Sequence, residues 1–123
     1  MVRWTRPSDY RPVMSLLQQA RPGVQQFEGN VLIDEVEGAV VGVVVFILGK
    51  PDTLIRVLSV TPAPEASETA GALLNAVRLL AEAHGSLTIE GTIPPEWKDV
   101  LLLAERAGAE LIDCVRARVP VGR

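Results

Sequence analysis

The unbroken apolar run from Ala39 to Leu48 constrains this chain more than any other stretch. It is about half the ~20 residues a membrane helix needs, and it is rich in valine, so it reads as a buried strand and not as a span across a bilayer. Its flanks say how the strand is connected. The alternating segment Asn30 to Val36, carrying Val31 and Ile33, leads into it through Glu37-Gly38. On the far side Gly49-Lys50-Pro51-Asp52 turns the chain into Thr53 to Val60, which is again strand-like. Three punctuated strands in succession make an antiparallel meander.

The rest of the chain arranges itself around that meander. Val2 to Arg6 is a short extended piece, and Pro7, Ser8 and Asp9 supply capping chemistry for a helix through Gln19 with Val13, Leu16 and Leu17 on one face. Arg21-Pro22-Gly23 breaks this helix, and the loop to Gly29 has no clear period. From Glu65 to His84, Ala66, Ala70, Leu73, Leu74, Val77, Leu80 and Ala81 recur at helical spacing, and Gly85 stops the helix. Ser86 to Glu90 then reads as a strand with Leu87 and Ile89 on one face. A helical crossover joins it to the preceding strand, which favours a parallel, right-handed pair. A last helix is predicted over Pro95 to Ala107 and a single closing strand over Ala109 to Val119. The fold class expected is α+β, with a mixed, mostly antiparallel central sheet flanked by helices and a parallel strand pair around the crossover helix.

Composition narrows the function classes. A chain of 123 residues that is 48% hydrophobic and 22% charged can bury one core, so residues 1–123 are expected to form a single domain. The net charge of -3, with Arg3, Arg6, Arg11, Arg21, Arg56, Arg78 and Arg106 scattered, argues against nucleic acid as a partner. No stretch reads as a signal peptide or membrane anchor, and one cysteine cannot form an internal disulfide, so a cytoplasmic protein is expected. No histidine, cysteine or carboxylate cluster has metal-ligand spacing, and no metal is expected.

The order strand, helix, three-strand meander, long helix, strand, helix, strand resembles the GCN5-related N-acetyltransferase (GNAT) family over nearly the whole chain. Local phrases agree. Val2-Arg3 with Arg6-Pro7-Ser8-Asp9 looks like that family's opening strand and helix cap, and Glu37-Gly38-Ala39-Val40-Val41-Gly42 is similar to its second hairpin. Leu58-Ser59-Val60-Thr61-Pro62 resembles the end of its fourth strand, and Glu105-Arg106-Ala107-Gly108 the last turn of its fourth helix. The resemblance implies an acetyl-CoA-dependent N-acetyltransferase acting on a small-molecule or peptide amine. It further implies that acetyl-CoA lies along Leu58, Ser59 and Val60 by its pantetheine arm and at Ser67, Glu68, Thr69 and Ala70 by its pyrophosphate. The alternative is a catalytically degenerate member of the fold serving as a binding or oligomerisation module.

Departures from the family pattern bear on the chemistry. The family's Gln/Arg-x-x-Gly-x-Gly/Ala loop corresponds to Glu65-Ala66-Ser67-Glu68-Thr69-Ala70, where only Ala70 fits and two carboxylates compete with a ligand anion for the positive end of the helix. Ala104 stands where many members place the tyrosine that protonates the departing thiolate, and Trp97 stands near the family's asparagine. The first loop looks short, and the residues after Gly108 look too few for a closing two-strand hairpin. A missing strand would leave the edge of the fifth or last strand open, from which a homodimer is expected.

Acetyl transfer needs a polarised carbonyl, a deprotonated amine and a proton for the leaving thiolate. Backbone amides near Val60 suit the first task. Glu90, following Ile89 at the end of its strand where the family's parallel strands splay, is the candidate base; the plainer reading is a solvated strand-end glutamate. Glu35 and Glu37 beside the hairpin turn read as solvated. His84 suits the negative end of its helix, Cys114 a small core residue, and Trp4 and Trp97 packing anchors.

Overall fold

The computed structural model describes residues 1–23, 28–92, 110–111 and 116–120. In chain order these form β1 (Val2–Trp4), a 3-10 turn (Pro7–Asp9), α1 (Tyr10–Ala20), β2 (Asn30–Val36), β3 (Ala39–Ile47), β4 (Asp52–Val60), α2 (Ala66–His84), β5 (Thr88–Thr92), β6 (Glu110–Leu111) and β7 (Arg116–Pro120). The strands make one sheet in the order β1-β2-β3-β4-β5-β7-β6. Every neighbouring pair is antiparallel except β4 and β5, which α2 connects. The α+β class and the mixed sheet with one parallel pair are therefore as the sequence implies.

The lack of alternation in β3 has a simple cause, since a helix covers each face. Val43 and Val45 pack with Ile33 and Val57 against Val13, Leu16 and Leu17 of α1. Val44 and Phe46 pack with Leu32 and Ile89 against Leu73, Val77 and Ala81 of α2. Burying one such side chain stabilises the fold by about 1.5 to 3 kcal/mol, so the central strand anchors both cores. Two bulges adjust the sheet beside it. Asp34 and Glu35 face Gly42 and Val40, leaving Val41 unopposed, and Val45 and Phe46 face Val57 and Ile55, leaving Arg56 unopposed.

Charge fixes the N-terminal corner. Arg3 Nη1 and Nη2 donate to both carboxylate oxygens of Asp9 at 2.8 and 3.0 Å, and Nε and Nη2 reach Glu35 at 3.3 Å each. Asp9 also accepts the backbone amide of Arg6 at 2.7 Å, closing the turn that starts α1. The Arg3 guanidinium and that amide hold the Asp9 carboxyl down to about 2. Glu35, expected to be solvated, is half-buried in this network and is also held below its ordinary range by Arg3. Glu37 is exposed as expected.

Two boundaries differ from the sequence reading. β5 begins at Thr88 and not at Ser86, and Leu87 is 68% exposed and shares no face with the buried Ile89. The cause lies in the turn after α2. Gly85 takes the left-handed conformation there, and the Ser86 amide returns to the Ala81 carbonyl at 2.9 Å. The Ser86 hydroxyl joins Thr53 Oγ1 at 2.7 Å, and the amides of Leu87 and Thr88 both donate to the Pro51 carbonyl, which delays regular pairing until Thr88. The closing segment also forms two strands and not one. A hairpin is affordable because β6 needs only Glu110–Leu111, and β7 pairs with β5 on one side and β6 on the other. β7 thus covers the edge of β5, and β6 covers β7 at Ala117 and Arg118. The helix predicted over Pro95 to Ala107, with Trp97 and Ala104, lies outside the described residues, as does Cys114. Among the described residues no helix is long and apolar enough to cross a membrane.

Candidate functional site

Among the described residues the sheet opens between β4 and β5. β4 pairs with β3 along its length, but with β5 only through Asp52, Thr53 and Leu54, opposite Thr88, Ile89 and Glu90. Beyond Glu90, β5 follows β7, and Ile55 to Val60 have no strand on that side among the described residues. The two strands are still close where they part, since a β-carbon on Gly91 would stand 3.1 Å from Ile55 Cβ. The result is a fork whose inner edge presents backbone N–H and C=O groups of β4, which require partners. One is met by Arg21, just after α1, whose Nη2 donates to the Arg56 carbonyl at 2.9 Å.

Glu90 stands at the mouth of this fork. Because β5 starts late, it is mid-strand and not at the strand's end, half-buried between Leu54 on β4 and the register position of Arg118 on β7. Ile89 enters the core beneath α2, so strand alternation puts Glu90 on the face of the sheet that carries α1. Asp52 and Thr88 share that face and are hydrogen-bonded to each other. A carboxylate beside an open strand edge can take a proton from an amine held there, provided its geometry allows.

Leu58, Ser59 and Val60 line the open edge, yet their side chains face the cores. Leu58 packs with the α2 cluster, Val60 is buried, and the buried Ser59 hydroxyl donates to the Leu16 carbonyl at 2.7 Å. Only their backbone is available to a ligand. After the strand, Thr61 still pairs with Val41, and the Ala66 amide donates to the Ala63 carbonyl at 3.0 Å as α2 begins. Ser67, Glu68, Thr69 and Ala70 form its first turn. Thr69 and Ala70 are buried, and the Thr69 amide is taken by the Glu65 carbonyl at 3.0 Å, so these two serve packing. Glu65 and Glu68 are exposed at the helix start. Gly42 explains how close this turn comes to the sheet: a β-carbon there would lie 2.6 Å from Thr69 Cγ2 and 3.0 Å from Leu73 Cδ1.

Other sequence candidates fall elsewhere. His84 is exposed in the last turn of α2, as expected of a dipole partner. Trp4 stacks on Phe46 with ring centroids 6.2 Å apart, a packing role. Among the described residues no group of three or more His, Cys, Asp or Glu could hold a metal ion. Arg21 and Arg56 were missed by the sequence reading, which saw them as scattered. The only available signal was the helix-breaking Arg21-Pro22-Gly23, because a bulge cannot be read from one strand without its partner.

No family model matches the sequence, and no curated protein matches it. Solved structures do. The IAA acetyltransferase from Bacillus cereus superposes with a TM-score of 0.75 at 18% identity, covering 98% of this chain and 97% of its own. A GNAT family acetyltransferase from Elizabethkingia anophelis with acetyl-CoA bound gives 0.76 at 15% identity, covering 100% and 97%. Aminoglycoside 6'-acetyltransferase type Ii gives 0.73 at 12% identity, covering 100% and 99%. Likeness at this identity speaks to architecture, and together with the forked parallel pair it establishes that this chain has the GCN5-related N-acetyltransferase fold.

Proposed function

We propose that the protein, as one domain over residues 1–123, is an acetyl-CoA-dependent N-acetyltransferase of the cytoplasm acting on an amine. The single observation that carries this reading is the fork, with a β4 edge from Ile55 to Val60 that pairs with no strand among the described residues on one side and Glu90 at its mouth. The residues present suit the cofactor unevenly. The bare edge at Leu58, Ser59 and Val60 suits an extended amide-bearing arm, which adds hydrogen bonds as a strand would. The start of α2 suits a pyrophosphate less well, since Glu65 and Glu68 add negative charge where the helix dipole would favour an anion. When bound, acetyl-CoA would supply the activated acetyl group. Glu90 then serves as the base that takes the amine proton, the upper β4 amides orient the thioester carbonyl, and Ser67 and Glu68 define the pyrophosphate end.

Those carboxylates also favour the second reading, a module that has kept the fold and lost the cofactor. Thermal unfolding separates the two. Acetyl-CoA at ~100 times its dissociation constant adds about 2.7 kcal/mol to stability, and the transferase reading requires a rise in Tm with coenzyme concentration. No rise at millimolar acetyl-CoA, at low and high salt, selects the module. A homodimer remains part of the proposal, with the outer edge strand β1 and its half-exposed Trp4 as the surface that would pair. Light scattering over a wide concentration range tests it, and a monomer throughout refutes it.

A further inference from the structure

The two sides of the fork's apex are built differently. On the side that carries α1, Leu54 stands opposite Glu90. On the side that carries α2 the next residue of each strand comes into play. Ile55 is half-buried and packs against the α2 cluster, and Gly91 lies next to it on β5. A β-carbon on Gly91 would stand 3.1 Å from Ile55 Cβ, 3.7 Å from its Cγ2 and 3.8 Å from its Cδ1. One branched side chain therefore closes the apex over a glycine, and a larger residue on β5 would overpack the pair.

The direction of an acyl group in this fork follows from the transferase reading, on which the present inference rests. A thioester carbonyl carbon is flat, with sulfur, oxygen and the acyl carbon spread evenly in one plane, and an amine attacks perpendicular to that plane. The amine nitrogen bonds to the carbonyl carbon, Glu90 takes the amine proton, and the carbon–sulfur bond breaks to give the thiolate. Attack from the face that carries Glu90 lays the plane along the sheet. With sulfur toward Val60 and oxygen toward the β4 amides, the remaining direction runs to the apex, at Ile55 and Gly91. We propose that Ile55 and Gly91 form the wall that ends the acyl pocket, and that this wall restricts the bound acyl group to acetyl.

Calorimetry of CoA, acetyl-CoA, propionyl-CoA and butyryl-CoA on the full chain tests the wall without an acceptor. The parent protein is expected to bind acetyl-CoA about tenfold or more tightly than butyryl-CoA, with propionyl-CoA between them. Ile55→Ala removes the branched end of the side chain and should bring butyryl-CoA to within about threefold of acetyl-CoA, with CoA itself bound as before. Ile55→Val should fall between that variant and the parent. Gly91→Ala should weaken acetyl-CoA about tenfold more than CoA. Val2→Ala shortens a side chain of the same α2 cluster on the far edge of the sheet, and it should lower Tm while leaving the order of acyl affinities as it is. Butyryl-CoA bound by the parent as tightly as acetyl-CoA overturns the proposal, as does an order of affinities that Ile55→Ala leaves unmoved. Loss of CoA together with every thioester in Ile55→Ala overturns it too, since the side chain would then serve the fold alone. A parent chain that binds neither CoA nor any thioester defeats the transferase reading itself, and the wall with it.

Discussion

Asp52 to Leu54 and Ile55 to Val60 are halves of one strand held in different ways. The first half has β3 or its turn on one side and β5 on the other, and it is cross-linked by Thr53 to Ser86 and by Asp52 to Thr88. The second half keeps β3 but gives its other edge to the fork, and compensates through side chains: Val57 and Ser59 toward α1, Leu58 toward α2. A strand can therefore be secured by its neighbours' backbones or by its own side chains, and only the second arrangement leaves backbone groups for a ligand.

Substitutions on either side of the fork should separate stability from activity. The largest effect is expected from Glu90→Gln, which removes the proposed base: turnover should fall about 100-fold or more while acetyl-CoA still binds, and unchanged steady-state rates would dismiss Glu90 from the chemistry. Gly42→Ala acts on the second half, because Gly42 opposes Val60 and the new methyl group meets Thr69 and Leu73. It should cost about 1 to 3 kcal/mol in urea unfolding and also weaken acetyl-CoA binding by displacing the start of α2. Glu68→Gly should improve acetyl-CoA affinity roughly tenfold at low salt, less at high salt, with a stability loss near 0.5 to 1 kcal/mol. If calorimetry finds no gain, the pyrophosphate does not lie at this helix end. Thr53→Val belongs to the first half and deletes only the bond to Ser86. About 1 kcal/mol of stability should be lost and no acetyl-CoA affinity.

The last comparison leaves activity aside and concerns the corner far from the fork, where the effect is read as a pH dependence of stability. Asp9 is held at about 2 from an ordinary 3.8, so its contribution is complete above the unfolded value and disappears as the pH falls from near 4 through 2. Arg3→Gln should flatten this acid limb of the stability curve. A limb of unchanged steepness would show that Arg3 does not govern the acid sensitivity.

The meander, both main helices and the parallel crossover were legible because each leaves a period or a punctuation mark: Val13, Leu16 and Leu17 at helical spacing, Glu37-Gly38 at a turn, Gly85 at a helix end. The valine run was legible as buried, though not as buried on both faces, since identical side chains carry no phase. Of the site, the position of Glu90 beside a parting pair of strands followed from the family resemblance. The embedding of Thr69, Ala70 and Ser59 in the cores did not, because a small or hydroxyl-bearing residue suits a ligand and a packed interface equally well. Arg21 with Arg56 was invisible, since their meeting depends on a loop and a bulge, both set by tertiary pairing.

That bulge also reverses the handed alternation of its strand. Before Arg56 the odd-numbered Thr53 and Ile55 lie toward α2; after it the odd-numbered Val57 and Ser59 lie toward α1. The residue works as an extra half-step in a two-beat rhythm, counted on one strand and skipped on its partner. Deleting Arg56 would join Ile55, already toward α2, directly to Val57, already toward α1, and so leave both halves of the strand on the faces they now use. Random single-residue deletions scored for retained fold should therefore find this position the most forgiving of the strand, whereas removal of a residue on either side turns one half inside out.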